Sequence, residues 1–192
     1  MNVLIIPEDF RKDQYIVWPI VRRLLADIGK PNANVRVCRD PLMGGVSQAL
    51  KWERIKEVLR RYPMVQLFLL LVDRDGIEGR RRSLDALEKK ARAELQSGRA
   101  FFGENAWQEI EVWALAGQNL PASWRWRKIR AEANPKEVYF ERLARQRGLQ
   151  NEPGEGRKTM GLEAAQKYSR VQSRCKEDLL ALERRIENWL KK

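Results

Sequence analysis

The spacing of apolar and polar positions divides the chain into segments of two kinds. Residues 3–6 form a short unbroken apolar run, the pattern of a strand covered on both faces. From 14 to 28 the apolar residues fall at 16, 17, 20, 21, 24, 25 and 28, a helical spacing that ends at Gly29-Lys30-Pro31. Residues 34–38 alternate as a strand does. Residues 48–61 return to a helical period through Leu50, Ile55, Val58 and Leu59, and Pro63 stops them. The strongest apolar run, 65–72 (VQLFLLLV), suits a central strand. Residues 83–96 predict a charged helix, 99–102 a weak strand and 107–116 a further helix.

Strand and helix therefore alternate four times. That order predicts an α/β fold with a mostly parallel four-stranded sheet flanked by helices. Beyond residue 118 the pattern changes. Residues 120–130 are rich in Trp and Arg and read as irregular, 135–148 look helical, 152–156 form a Gly/Pro loop, and 162–190 hold one or two helices. No internal repeat is present. The expected organisation is an α/β core over 1–118 and a basic, mainly helical elaboration over 119–192, packed on the core rather than folding alone.

Composition narrows the chemistry. At 192 residues with 43% apolar, the chain suffices for one domain with a real core. It carries no histidine, which removes Ser-His-Asp and Cys-His nucleophiles, His-ligated zinc hydrolases and His-based nucleases. Any catalysis must run on carboxylates, metal ions, Lys/Arg or hydroxyls. The net charge is +12, of which +8 falls in residues 119–192, which points to a polyanion-facing surface there. Cys38 and Cys175 make neither a disulfide framework nor a zinc pair. The N-terminal run is too short for a secretory leader, and the longest apolar run falls far below the ~20 residues of a membrane span. A cytoplasmic protein without a membrane partner is the expectation.

Ligands of open α/β sheets bind beyond the carboxyl ends of the strands. Acidic residues gather at three such ends: Glu8 and Asp9 with Asp13 nearby, Asp73-Arg74-Asp75-Gly76, and Glu109 with Glu111. Each has a purely structural alternative, as a helix cap, a turn residue or a solvated helix face. Together they favour a divalent cation, because converging carboxylates repel one another unless a cation compensates. Oxygen-only ligands select Mg²⁺ or Mn²⁺. No Walker A or G-x-G-x-x-G sequence is present, and an EF-hand is excluded because its last ligand would be Leu84. Basic candidates for phosphate are Arg80, Arg125 and Arg127 in an alternating Trp-Arg stretch, and Arg157-Lys158 after a flexible Gly-Glu-Gly. Trp124 and Trp126 fit better as cover for a core edge, with the cations facing water.

A Glu after the first strand and an Asp-x-Asp after the third resemble the Toprim fold of topoisomerases, primases and OLD-type nucleases. The series Glu8, Asp73-Arg74-Asp75, Glu111-Val112-Trp113-Ala114-Leu115-Ala116, Pro135-Lys136-Glu137 and Gly156-Arg157-Lys158 resembles most closely the Toprim-like domain-of-unknown-function family 4276. The late Arg174-Cys175 fits that family too, so the resemblance spans nearly the whole chain. The chain departs from the family at Pro7-Glu8-Asp9, where Gly commonly follows the Glu, and at Ala116-Gly117, where Asp is common. Glu8 and Asp9 thus both remain candidates for the first ligand.

The resemblance implies a Toprim-like Rossmannoid fold. It also implies a nuclease, a metal-dependent hydrolase in which Glu8, Asp73, Asp75 and Glu111 are both metal ligands and catalytic residues. Arg80, Arg125, Arg127, Arg157 and Lys158 would bind nucleic acid, DNA ahead of RNA. A role in prokaryotic defence with an AAA/ABC-type ATPase partner follows from the resemblance alone. The apolar stripe Leu179, Leu182, Ile186 and Trp189 of the last helix, most often core packing, also offers a face for such a partner or for a homo-oligomer. The competing readings are a non-catalytic nucleic-acid or protein-binding module on the same scaffold, and a haloacid-dehalogenase-like phosphohydrolase using Asp73-Arg74-Asp75-Gly76.

Overall fold

The most apolar segment of the chain becomes an inner strand of the sheet. In the computed structural model, which describes residues 1–191, the strands are β1 (Asn2–Pro7), β2 (Asn34–Val37), β3 (Leu67–Asp73) and β4 (Ala100–Ala106). They form one parallel sheet in the order β2-β1-β3-β4. Val3 lies opposite Leu67, and Pro7 opposite Leu71. With neighbours on both sides and helices on both faces, β3 has no water-facing row, so its six residues Leu67 to Val72 are all apolar and buried.

The helices α1 (Phe10–Asp27), α2 (Val46–Ala49), α3 (Trp52–Arg61) and α4 (Arg80–Glu94) complete the crossovers. Alternate strand residues feed two separate cores. Leu4, Ile6, Phe68, Leu70 and Val72 pack with Ile55, Val58, Leu84 and Leu87 of α3 and α4. Val3, Ile5, Leu67, Leu69 and Leu71 pack with Ile16, Ile20 and Leu24 of α1. Helices α1 and α4, which follow β1 and β3, therefore lie on opposite faces. This makes the gap between β1 and β3 the topological switch point, where such a sheet opens a crevice.

The remaining helices are α5 (Glu111–Ala116), α6 (Trp126–Ala131), α7 (Glu141–Gln146, entered through a π-helical turn at Lys136–Phe140), α8 (Arg157–Gln166), α9 (Tyr168–Arg174) and α10 (Leu179–Leu190). Phe140, Met160, Tyr168, Val171 and Leu182 join the α1 core, so one hydrophobic cluster runs from β1 to α10.

The structure departs from the periodicity reading in several places. The single helix expected over 48–61 is broken at Leu50-Lys51, which lets Leu50 and Trp52 both reach the α3 side of the core. Positions two apart on one helix cannot share a face. Strand β4 runs four residues past the expected 102, because Glu104 and Asn105 are buried polar residues that break the apolar pattern. The Trp/Arg stretch contains a helix, α6, although it reads as irregular. Residues 162–190 hold parts of three helices rather than one or two.

Candidate metal and phosphate site

The crevice between β1 and β3 is acidic. Glu8 follows the last residue of β1, and its Oε2 accepts the backbone N–H of Asp73, the last residue of β3, at 3.4 Å. Asp73 is oriented in turn by the Ile110 N–H, which donates to its Oδ1 at 2.8 Å. Burial raises the Glu8 carboxyl to about 7, and the charges of Asp75 and Glu111 push in the same direction. Asp73 is held well above the usual carboxylate range, first by burial and then by Glu8, Glu111 and Asp13. Two strand ends that pair side by side therefore bring two mutually repelling carboxylates together.

Asp13 is the member that strand-end reasoning placed only nearby. It sits one helical turn into α1, accepts the Asp9 N–H at 3.1 Å, and is raised to about 8 by burial, by Glu111 and by Glu8. Asp9 instead is exposed and caps α1 by accepting the Arg11 N–H at 2.9 Å. Of the two neighbours, Glu8 faces the crevice and Asp9 caps the helix. A helical signal could have found Asp13, since position four of a capped helix turns back toward the strand that precedes it.

The turn after β3 is tight. Asp75 and Gly76 both adopt left-handed φ, 53° and 67°, which Gly76 accommodates without cost. The segment 107–110, expected to be helical, forms bends and a turn instead, and the helix begins only at Glu111. The carbonyl of Gln108 accepts the N–H groups of Arg74 and Asp75, and its side chain accepts that of Gly76. The turn is pinned to the strand end beside it.

Two cations expected to face nucleic acid are turned inward. Arg157 is only 1% exposed: it donates to Glu111 Oε1 through Nε at 2.9 Å and through a second, shorter contact, and it also bonds Gly154 O and Glu155. Arg80, 6% exposed, pairs with Asp75 at 3.0 Å. Their charge is taken up by carboxylates of the crevice, so they position acids rather than meet a ligand. Arg125, Arg127 and Lys158 are exposed. Trp124 and Trp126 cover the core edge: Trp124 stacks edge-on with Tyr139 at 5.0 Å, and Trp126 donates to Arg174 O.

Burial also raises Glu109 to about 7, while the Lys136 N–H donates to its carboxylate at 2.7 Å. This links the helix-opening acid to the Pro135-Lys136-Glu137 segment.

Among the described residues, no three or more His, Cys, Asp or Glu side chains are arranged as a ready-made metal cage. Glu8 and Asp73 are brought together; Asp75 and Glu111 lie near enough to raise Glu8 but are each ion-paired, to Arg80 and Arg157. The donor chemistry still fits Mg²⁺ or Mn²⁺, since such ions take one or two carboxylates and fill the remaining positions with water and substrate phosphate. Nor does any donor demand another partner: the one buried side-chain N or O lacking a hydrogen bond among the described residues is Arg80 Nε, so the second oxygens of these carboxylates are paired or solvent-reachable.

No helix of the described residues is long and apolar enough to cross a membrane. No protein-family model matches the chain, and the comparisons with curated proteins and with solved structures likewise returned no match.

Proposed function

We propose that the chain is a Mg²⁺- or Mn²⁺-dependent phosphodiesterase acting on nucleic acid, a nuclease of the Toprim kind. The observation that carries this reading is the pair Glu8 and Asp73, two repelling, largely desolvated carboxylates at the switch point of a parallel sheet. Holding like charges together in a poorly solvated crevice is costly, and functional sites are where such arrangements concentrate. Glu8 and Asp73 would hold the ion, with Asp13, Asp75 and Glu111 as neighbouring acids. The ion supplies polarisation of a phosphodiester oxygen and a lowered pKa for a bound water, chemistry that needs no histidine. Arg157 keeps Glu111 at the crevice wall, and Arg80 keeps Asp75 at its rim. Lys158, Arg125 and Arg127 remain exposed for phosphates.

The test is cleavage of plasmid and of labelled single strands by purified chain, with Mg²⁺, with Mn²⁺ and with EDTA. Metal-dependent cleavage that disappears in Asp73→Ala, with the fold intact by circular dichroism, is the expected result. Cleavage unchanged in Asp73→Ala overturns the assignment.

One observation favours a second reading. With Asp75 and Glu111 ion-paired, the same scaffold suits a binding module without turnover. That reading predicts salt-sensitive nucleic-acid binding that ignores divalent ions.

A further inference from the structure

A cavity of about 570 Å³ opens at the free edge of β2, lined from both faces of the sheet. Its wall carries three cations, Arg36, Arg39 and Lys158, together with Tyr15, Trp18 and Tyr62, and no acid. The acids next to them in sequence are engaged elsewhere: Asp40 pairs with Arg61, and Glu155 with Lys12 and Arg157. Among the described residues none of the three cations has an ion-pair partner, whereas Arg80, Arg81, Arg130, Arg147 and Arg157 all do.

The aromatic side is fixed in place. Trp18 donates its indole N–H to Val35 O at 3.0 Å, and Arg22 lies over its ring at 4.7 Å. Residues of the cavity are also close in sequence to residues that hold the carboxylates. Lys158 directly follows Arg157, which grips Glu111. Arg39 lies over Phe10, two residues after Glu8. Gly154 packs so closely on Tyr15 that a Cβ there would meet the ring at 2.5 Å. Helix α1 and the segment 154–158 thus each give residues to the cavity (Tyr15, Trp18; Lys158) and to the acidic cluster (Asp13; Arg157).

We propose that this cavity binds a single-stranded nucleic-acid segment, a base entering against Trp18 and Tyr15 while flanking phosphates meet Arg36, Arg39 and Lys158. Cations alternating with flat rings, without a counter-acid, recognise a chain of phosphates and bases. A paired duplex keeps its bases stacked inside and has none to offer such a cavity. The name substrate for this strand rests on the nuclease reading; the binding itself does not.

The experiment is fluorescence anisotropy of labelled oligo-dT and oligo-U, each beside a blunt duplex of the same length, in EDTA. The single strand is expected to bind about tenfold or more tighter than the duplex. The triple variant Arg36→Glu, Arg39→Glu, Lys158→Glu, on exposed positions, is expected to lose most of this affinity and to flatten the slope of log K against log salt by about 2. Trp18→Ala should weaken binding about tenfold, with Trp18→Phe restoring part of it. Equal binding of duplex and single strand, or a triple variant that binds as the parent does, overturns the proposal. Because binding is read without metal, a chain that binds through the cavity but never cleaves overturns only the nuclease reading. A chain that cleaves while its strand binding ignores the triple substitution overturns only the cavity.

Discussion

Three acids within six residues, Glu8, Asp9 and Asp13, meet three different fates, and the difference is set by backbone geometry rather than by charge. Glu8 still follows the strand direction and enters the crevice; Asp9 leaves it to cap α1; Asp13 returns one turn later. Replacing Asp9 with Ala should cost about 1 kcal/mol of stability, the usual worth of a cap, and, on the proposed reading, leave metal-dependent cleavage unchanged. Urea unfolding and the cleavage assay check both halves. Arg157 behaves differently. Removing it in Arg157→Met strands the buried Glu111 charge, so about 3–5 kcal/mol of stability should be lost. Adding Glu111→Leu to the same chain should recover most of it. A phosphate-contacting surface arginine would show neither effect.

At the scale of elements, two helices are welded to their neighbours by glycine. A Cβ on Gly161 of α8 would lie 2.3 Å from the Tyr15 carbonyl of α1, and one on Gly117, just past α5, 2.3 Å from Ala164 Cα of α8. Gly161→Ala should therefore destabilise by about 1–3 kcal/mol or more, although alanine is the better helix former, and differential scanning calorimetry would read the loss. Asp178 plays a comparable part in polar terms. Fully buried, it accepts from the Trp107 N–H, the Trp113 indole and the Arg130 guanidinium, tying the segment after β4 to α5, α6 and α10. Asp178→Ala leaves Arg130, among the described residues, with only the exposed Glu177 as an ion-pair partner and strips the Trp107 N–H and the Trp113 indole of their acceptor. It should therefore cost about 3–5 kcal/mol in a denaturant titration.

These elements also show where reading the sequence succeeds and where it stops. β1, β3 and α1 announce themselves because burial on both faces, or on one helical stripe, leaves a periodic trace in the residues. The second half of β4 and the non-helical segment 107–110 leave none. Glu104 is buried only because Arg81 and Arg185 reach it from distant helices, and residues 107–110 stay out of α5 where Gln108 accepts from the turn at 74–76. Likewise Glu8 and Asp73 are visible as acids at strand ends, whereas the inward turn of Arg80 and Arg157 depends on partners far away in the chain.

For the molecule as a whole, the sheet separates two cores that pack independently, and the crevice lies where they meet. A site assembled from repelling carboxylates should be a weak point of the unliganded fold. On the proposed reading, Asp73→Asn raises the melting temperature of the metal-free protein, by about 1–2 kcal/mol in stability, while cleavage is lost. Millimolar Mg²⁺ should raise the melting temperature of the parent and leave that of Asp73→Asn nearly unmoved. Thermal unfolding with and without EDTA decides it.

The adjacent cations Arg157 and Lys158 face opposite environments, one sealed on Glu111 and the other open to the cavity. Consecutive Cα atoms are about 3.8 Å apart, so the anchor of the acidic wall and the first contact of a bound strand are separated by a single peptide unit. On the proposed reading the chain carries a built-in ruler, with its zero at the carboxylates and its first mark at Lys158. Which phosphate of a strand reaches the crevice is then set by covalent geometry rather than by the sequence of the strand.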